Sequence, residues 1–201
     1  MYYVNQNLVD LHRIVYQNNR KEYLRLDLNE NPGGLPQEFI DEVLNDITPK
    51  FVSQYPETLE FENCLAKFLN VNNDNLCLVN GSSEGIRHII EAFSAPGGKI
   101  VGVVPSYAMY QVYAQMYGRE FIQVKYNDDL TISADTIIDA LSEDVDLLVL
   151  LNPNNPVGNA YSNEEFEKIL EAAKKYEITI LVDEAYMYFY DNSLSLIHIS
   201  E

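Results

Sequence analysis

The sequence has no tryptophan, two cysteines and few basic residues, since Lys and Arg number 13 against 31 Asp and Glu. The net charge of −18 argues against nucleic acid and anionic membranes as partners, because both attract basic surfaces. Cys64 and Cys77 are too far apart to form a CxxC pair. They predict a reduced, cytoplasmic protein without a disulfide framework.

Long apolar runs and metal-ligand spacings are also missing. No run approaches the roughly 18 residues of a membrane-spanning helix, and the N-terminal residues lack the pattern of a signal peptide. His12, His88 and His198 are isolated from one another, so we predict no metal site. With 47% hydrophobic residues in 201, the chain should instead form a packed core.

An unbroken apolar run at residues 147–151 leads into a loop rich in Asn and Pro at residues 152–158. Such a run is typical of a strand buried on both faces, and the loop after it lies where open α/β sheets bind ligands. Pro156 restricts Asn155 to an extended conformation. We therefore predict that the Asn155 amide faces a ligand, with an ordinary strand-to-helix turn as the alternative.

A second apolar strand at residues 178–182 ends in Asp183, Glu184 and Tyr186. The spacing from the first strand matches one βαβ crossover, so the Asn-rich loop and Asp183 should share one edge of a parallel sheet. Asp183 and Glu184 together could also bind a cation, but the apolar strand before them and Tyr186 after them fit a cofactor better.

Two further strand ends carry polar or aromatic residues. A predicted strand at residues 76–79 runs into Gly81, Ser82 and Ser83 before a helix at residues 84–93. Small residues and hydroxyls at a helix N-terminus favour an anion or phosphate site, although a simple helix cap is the alternative. Tyr107 follows the strand predicted at residues 99–104, where its ring could lie against a planar ligand or merely pack.

Strands and helices alternate along the chain, which predicts an α/β fold with three αβα layers and a mainly parallel sheet. Ser162 and Glu165 have the spacing of a capping box at the start of a helix. A further strand is predicted at residues 121–124. Further helices are predicted at residues 8–16, 36–47, 56–70, 108–117, 133–141 and 162–175.

The four strand ends together offer a phosphate cradle, a flat aromatic ring, an amide donor and a carboxylate. A planar, phosphorylated heteroaromatic with a basic ring nitrogen uses all four, and pyridoxal 5'-phosphate is such a molecule. A carboxylate at its ring nitrogen keeps the pyridinium protonated, which makes the ring an electron sink.

The same stretches carry a family resemblance that extends over about residues 24–190. In their order and spacing, the chain resembles the fold-type I pyridoxal-phosphate-dependent aminotransferases of class I/II, and among them the histidinol-phosphate aminotransferase-like group. The matching stretches are LDLNENPGG (26–34), YPE (55–57), NGSSEGI (80–86), PSY (105–107), NPNNPVG (152–158) and VDEAY (182–186).

The resemblance implies a role for each matching residue. Gly81, Ser82 and Ser83 would hold the cofactor phosphate, and Tyr107 would stack on its ring. Asn155 and Tyr186 would hydrogen-bond the phenolic oxygen of the cofactor, and Asp183 would pair with its pyridinium nitrogen. Asn29 would lie in an arm over the substrate. Tyr55 would reach into the site of the partner subunit, which implies a homodimer.

The chain departs from the family by ending before the lysine that forms a Schiff base with the cofactor and before the C-terminal small domain. We therefore expect a truncated protein, inactive as it stands, with an arm (1–35), a partial cofactor-binding large domain (36–193) and an atypical, foreign tail (194–201). The incomplete sheet should expose apolar surface and favour aggregation.

For the parent, the resemblance implies transfer of an amino group between an amino acid and a keto acid or phosphorylated ketone. A decarboxylase or lyase using the same cofactor is one alternative, and a non-catalytic truncated fragment is another. The loop at 152–158 is also similar to the Asn-Pro-Pro loop of amino-methyltransferases, but the Gly-rich loop of that class is missing, as is the G-x-G-x-x-G of dinucleotide enzymes.

Overall fold

A computed structural model describes residues 2–9, 11, 19–26 and 28–190 of the chain. It divides into two compact units, one of residues 1–11 with 77–201 and one of residues 12–76. We call the first the sheet unit and the second the helical unit. The division into arm, large domain and tail stays a prediction, and residues 194–201 lie outside the described part.

The sheet unit is built on four parallel strands in the order β2-β1-β3-β4. The strands are β1 (Lys99–Val104), β2 (Glu120–Lys125), β3 (Val145–Leu151) and β4 (Thr179–Asp183). Each of them overlaps a strand predicted from the sequence. Since every pairing in this sheet is parallel, the predicted parallel sheet is confirmed.

Alternate residues of the strands enter two separate apolar clusters, one on each face of the sheet. On β3, Leu148 and Leu150 belong to one cluster, whereas Leu147 and Val149 belong to the other. Helices cover both faces, so the three-layer αβα fold is confirmed. The face of Leu147 is covered by α4 (Ser82–Phe93) and α5 (Met109–Met116), and that of Leu148 by α6 (Ala134–Ile138) and α7 (Asn163–Lys175).

The strand order creates a switch point between β1 and β3. The chain leaves β1 toward α5 on one face and leaves β3 toward α7 on the other face. Loops that diverge in this way open a crevice at the carboxyl ends of the strands, which is where open α/β sheets bind ligands. The loops after β1 and β3 therefore flank the candidate site.

Local signals set the ends of the helices in this unit. Ser162 Oγ accepts from Glu165 N at 3.2 Å, and Glu165 Oε2 accepts from Ser162 N at 2.9 Å. This is the predicted capping box of α7. Just after α5, Gly118 adopts φ +67°, a conformation that suits glycine. The α6 helix keeps its predicted start after Ser133 but ends early, at Ile138.

The strand predicted at residues 76–79 is wrong. Leu76 has extended dihedral angles of −112° and 140°, yet none of these four residues belongs to a strand. A strand requires a neighbour to complete its hydrogen bonds. Within the described residues, no strand pairs with this segment. The apolar pattern therefore indicated extended backbone, but it could not show whether a pairing strand was present.

The helical unit contains α1 (Gln37–Asp46), α2 (Pro49–Ser53) and α3 (Leu59–Leu69). The α1 helix confirms the prediction, whereas α3 begins at Leu59 rather than at Pro56. Among the described residues of this unit only Ala66 is buried. For the helix predicted at 8–16, the structure shows a 3-10 turn at Gln6–Leu8, and most of the remainder lies outside the described residues.

Candidate functional site

Asp183 is the last residue of β4, and its carboxylate is buried with 7% exposure. Tyr110 of α5 donates its hydroxyl to Asp183 Oδ2 at 2.7 Å, and the backbone N–H of Ala185 donates to Oδ1 at 3.0 Å. Burial raises the pKa of Tyr110, so its phenol stays protonated and remains a donor. The carboxylate is thus oriented by two bonds, and its other lone pairs can accept from a ligand.

Tyr107 connects Asp183 to the start of α4. Its hydroxyl shares a hydrogen bond of 3.0 Å with Ser83 Oγ, and its ring meets that of Tyr110 edge to face, at 5.6 Å and 84°. Ser83, Tyr107, Tyr110 and Asp183 are therefore connected by consecutive side-chain contacts. Sequence reasoning missed Tyr110, although its spacing of three from Tyr107 places both on one side of a helical turn.

The N-terminus of α4 has room for an anion. Its N-cap residue, Gly81, has φ +82°, and no side chain caps the helix. A Cβ built on Gly81 meets nothing within 4 Å. Ser82 and Ser83 lie inside the first turn, so neither is the simple cap considered from the sequence. Backbone N–H groups at such a terminus attract phosphate, and the residues present fit that group.

Glu84 supports this turn without occupying the anion position. Its Oε2 accepts from Asn80 N at 2.6 Å and from Asn80 Nδ2 at 3.0 Å. The backbone bond from Asn80 is the main cause of the lowered pKa of Glu84. The carboxylate therefore ties the segment before Gly81 to the helix and holds the first turn in place.

In the loop after β3, one of the three asparagines is less buried than the other two. Asn152 and Asn154 are buried, with 0% and 4% exposure, whereas Asn155 is half-buried. Within the described part of the chain the Asn155 amide makes no hydrogen bond, so it is free to contact a ligand. The peptide bonds that precede Pro153 and Pro156 are cis. Tyr186, the other residue predicted at the phenolic oxygen, packs against the apolar cluster that includes Tyr110.

Two predicted site residues belong to the helical unit. Tyr55 is 96% exposed, and Asn29 adopts a left-handed backbone with φ +52°. High exposure suits a residue that meets another subunit, but the roles of Tyr55 and Asn29 stay predictions.

The described residues contain neither a candidate metal cluster nor a candidate membrane span. No group of three or more His, Cys, Asp and Glu side chains within the described ranges could hold a metal ion. Likewise, none of the described helices has the length and apolar character needed to cross a membrane. Cys64 and Cys77 are both free and exposed.

Comparison with known proteins places this geometry in a family. Residues 21–200 match the family of aminotransferases of class I and II. The chain is 35% identical, over 169 residues, to histidinol-phosphate aminotransferase from Chlorobaculum tepidum. That match covers 83% of this chain and 48% of the relative, so the chain spans about half the length of the curated relatives it matches.

Solved structures agree with the sequence relatives. The histidinol-phosphate aminotransferase from Clostridium acetobutylicum superposes with a TM-score of 0.69 at 31% identity, covering 80% of this chain and 47% of that one. Cystalysin from Treponema denticola, whose crystal structure contains pyridoxal 5'-phosphate, has the same fold with a TM-score of 0.69 at 17% identity, covering 82% and 45%. The chain belongs to the aminotransferase class I and II family.

Proposed function

We propose that this chain is the cofactor-binding part of a pyridoxal-phosphate-dependent transaminase, whose reaction transfers an amino group between an amino acid and a keto acid or phosphorylated ketone. The observation that carries the proposal is the buried carboxylate of Asp183, oriented by Tyr110 and Ala185 and connected through Tyr107 to the N-terminus of α4. A carboxylate and an anion site on one sheet edge match the two ends of the cofactor.

Each residue has a defined task in this proposal. Bound pyridoxal phosphate supplies an electron-withdrawing ring that stabilises negative charge on the substrate carbon. Asp183 holds a proton on the ring nitrogen, and Tyr107 supports the ring face. The remaining contacts are the phosphate bonds of Gly81, Ser82 and Ser83 and the hydrogen bonds of Asn155 and Tyr186 to the phenolic oxygen.

The relatives favour transamination over decarboxylation or lyase chemistry. Several curated relatives are named histidinol-phosphate aminotransferases, and this name supports a phosphorylated substrate for the present protein. We further propose a homodimer in the cytoplasm, in which Tyr55 contributes to the partner's site and the arm around Asn29 covers the substrate. The high exposure of Tyr55 supports this arrangement.

Cofactor titration of the 201-residue chain tests the proposal. We expect pyridoxal phosphate to bind with a shift in its absorbance, and Asp183→Asn to weaken binding at least about tenfold, which corresponds to about 1.4 kcal/mol. Asp139→Asn, at an exposed position after α6, is the matched control and should bind like the unmodified chain. Absence of binding by a chain that melts cooperatively, or equal binding by Asp183→Asn, would contradict the proposal.

A further inference from the structure

The side chain of Asn154 connects three loops at the carboxyl edge of the sheet. Its Oδ1 accepts from Ser106 Oγ at 2.8 Å, and its Nδ2 donates to Pro105 O and to Tyr126 Oη, both at 2.9 Å. Tyr126 in turn donates to Asn159 Oδ1 at 2.6 Å. Both N–H groups and the oxygen of the buried amide are therefore used, in three bonds to residues far from Asn154 in sequence.

The backbone of Asn154 closes the loop in which it lies. Its N–H donates to Asn159 O at 2.8 Å, and its carbonyl accepts from Gly158 N at 2.6 Å. These two bonds form the base of a short loop that presents Asn155. Because Asn155 is the next residue, its orientation depends directly on how Asn154 is held.

Two of the three side-chain bonds, those to Ser106 and Pro105, reach the other loop at the switch point. Pro105 and Ser106 immediately precede Tyr107, the residue proposed to support the cofactor ring. The loops after β1 and β3 leave the sheet toward opposite faces, so the backbone itself does not hold them together. Buried amide bonds between such loops supply the missing connection, and an amide left unpaired there would be costly.

From this geometry we propose that Asn154 is a positioning residue that couples the Tyr107 loop to the Asn155 loop and so sets the width of the cofactor crevice. The cofactor part of this inference rests on the proposed function. The coupling of the two loops does not, because it depends only on the hydrogen bonds of the chain.

Amide hydrogen exchange of the 201-residue chain tests the coupling without any cofactor. Asn154→Asp preserves size and the acceptor for Ser106, but as a carboxylate it has no N–H for Pro105 or Tyr126. Because two bonds are lost, we expect exchange to quicken at least about tenfold in both segments 105–110 and 154–159, a change of about 1.4 kcal/mol. Asn163→Asp, the same change at the exposed first turn of α7, is the control and should alter neither segment.

A milder variant keeps the test decisive if Asn154→Asp does not fold. Ser106→Ala removes one bond from the opposite loop and should quicken exchange at 154–159, although the change lies at 106. Exchange that increases only in the loop carrying the substitution would overturn the inference, for either variant.

Cofactor affinity adds a readout that a purely structural role would not change. We expect Ser106→Ala to weaken pyridoxal phosphate binding several-fold while its melting temperature stays close to that of Asn163→Asp. If the unmodified chain binds no cofactor, the proposed function fails and the exchange result alone decides the coupling. If the unmodified chain binds the cofactor, and Ser106→Ala binds it as tightly as Asn163→Asp does, the cofactor part of the inference is overturned.

Discussion

At the scale of single residues, the hydroxyl of Tyr110 determines how Asp183 is presented. The residue is 2% exposed, and its hydroxyl bonds a carboxylate from an element 73 positions away in sequence. A bond from a neutral donor to a buried charge contributes about 1.5–3 kcal/mol. This single contact therefore links the packing of α5 to the chemistry proposed at β4.

Tyr110→Phe should lower the free energy of unfolding by about 1.5–3 kcal/mol, because Asp183 Oδ2 loses a donor while remaining buried. Urea unfolding measures this loss, and pyridoxal phosphate affinity should fall several-fold as the carboxylate loses its fixed orientation. Tyr113→Phe, on the same helix, removes a hydroxyl that makes no hydrogen bond within the described part of the chain. Equal stability and affinity in the two variants would show that Tyr110 does not orient Asp183.

Tyr110 and Tyr161 should make the protein unstable in alkali. Burial is the main cause of the raised pKa of both phenols in the folded state, above the unfolded value of 10.0. A raised folded pKa gives stability that is complete below the unfolded pKa and is lost as pH rises above it. The free energy of unfolding should therefore fall as pH exceeds 10, measured by urea unfolding at fixed salt. The fall should be smaller in Tyr110→Phe, and an identical pH profile would refute this account.

Among the elements, β4 forms an open edge of the sheet with apolar side chains beside it. Within the described residues no strand pairs with that edge. A groove of about 470 Å³ runs along it between α4 and α7. The groove is lined by apolar side chains that include Phe93, Phe166, Leu170, Ile180 and Val182. Open strand edges with apolar flanks favour pairing between chains, in agreement with the expected aggregation.

Phe93→Lys should weaken self-association of the 201-residue chain about tenfold, because burial of a Phe side chain contributes about 1.5–3 kcal/mol. Phe93 is 55% exposed beside the groove, and a lysine there would place charge at the edge. Phe68→Lys, at 74% exposure on α3, makes the same change outside the groove. Sedimentation velocity over a concentration series measures the effect. A monomeric unmodified chain, or an equal effect of both substitutions, would argue against the β4 edge.

At the scale of the whole molecule, the two units differ in how much apolar surface they bury. The sheet unit contains two clusters of buried residues, whereas the described part of the helical unit buries only Ala66. Since burial of apolar area is the main stabilising contribution in folding, the helical unit should open at much lower free energy.

Limited trypsin digestion should therefore cut the helical unit first. We expect early cleavage after Lys50 and Lys67 and a resistant fragment that begins at Phe68, because cleavage requires locally unfolded backbone. Lys99 and Arg119 lie at the sheet and should be cut at least about tenfold more slowly. Mass spectrometry of the time course identifies the fragments. First cuts at Lys99 or Arg119 would show that the sheet unit is not the more stable part.

Features that depend on neighbours along the chain could be predicted from the amino-acid sequence alone. The apolar run of β3 and the Ser162 capping box are local patterns, and the structure contains both. Recognition of the family had the same source, because its motifs are short stretches in a specific order. The parallel αβα fold follows from the alternation of strands and helices.

Which side chains meet depends instead on how distant parts of the chain pack together. The three asparagines after β3 are alike in sequence, yet Asn152 and Asn154 are buried and Asn155 is only half-buried. The bonds of Asn154 and of Tyr110 join residues 28 to 73 positions apart, so no local pattern could indicate them. The strand expected at 76–79 failed for the same reason, since a strand exists only where another strand completes its hydrogen bonds.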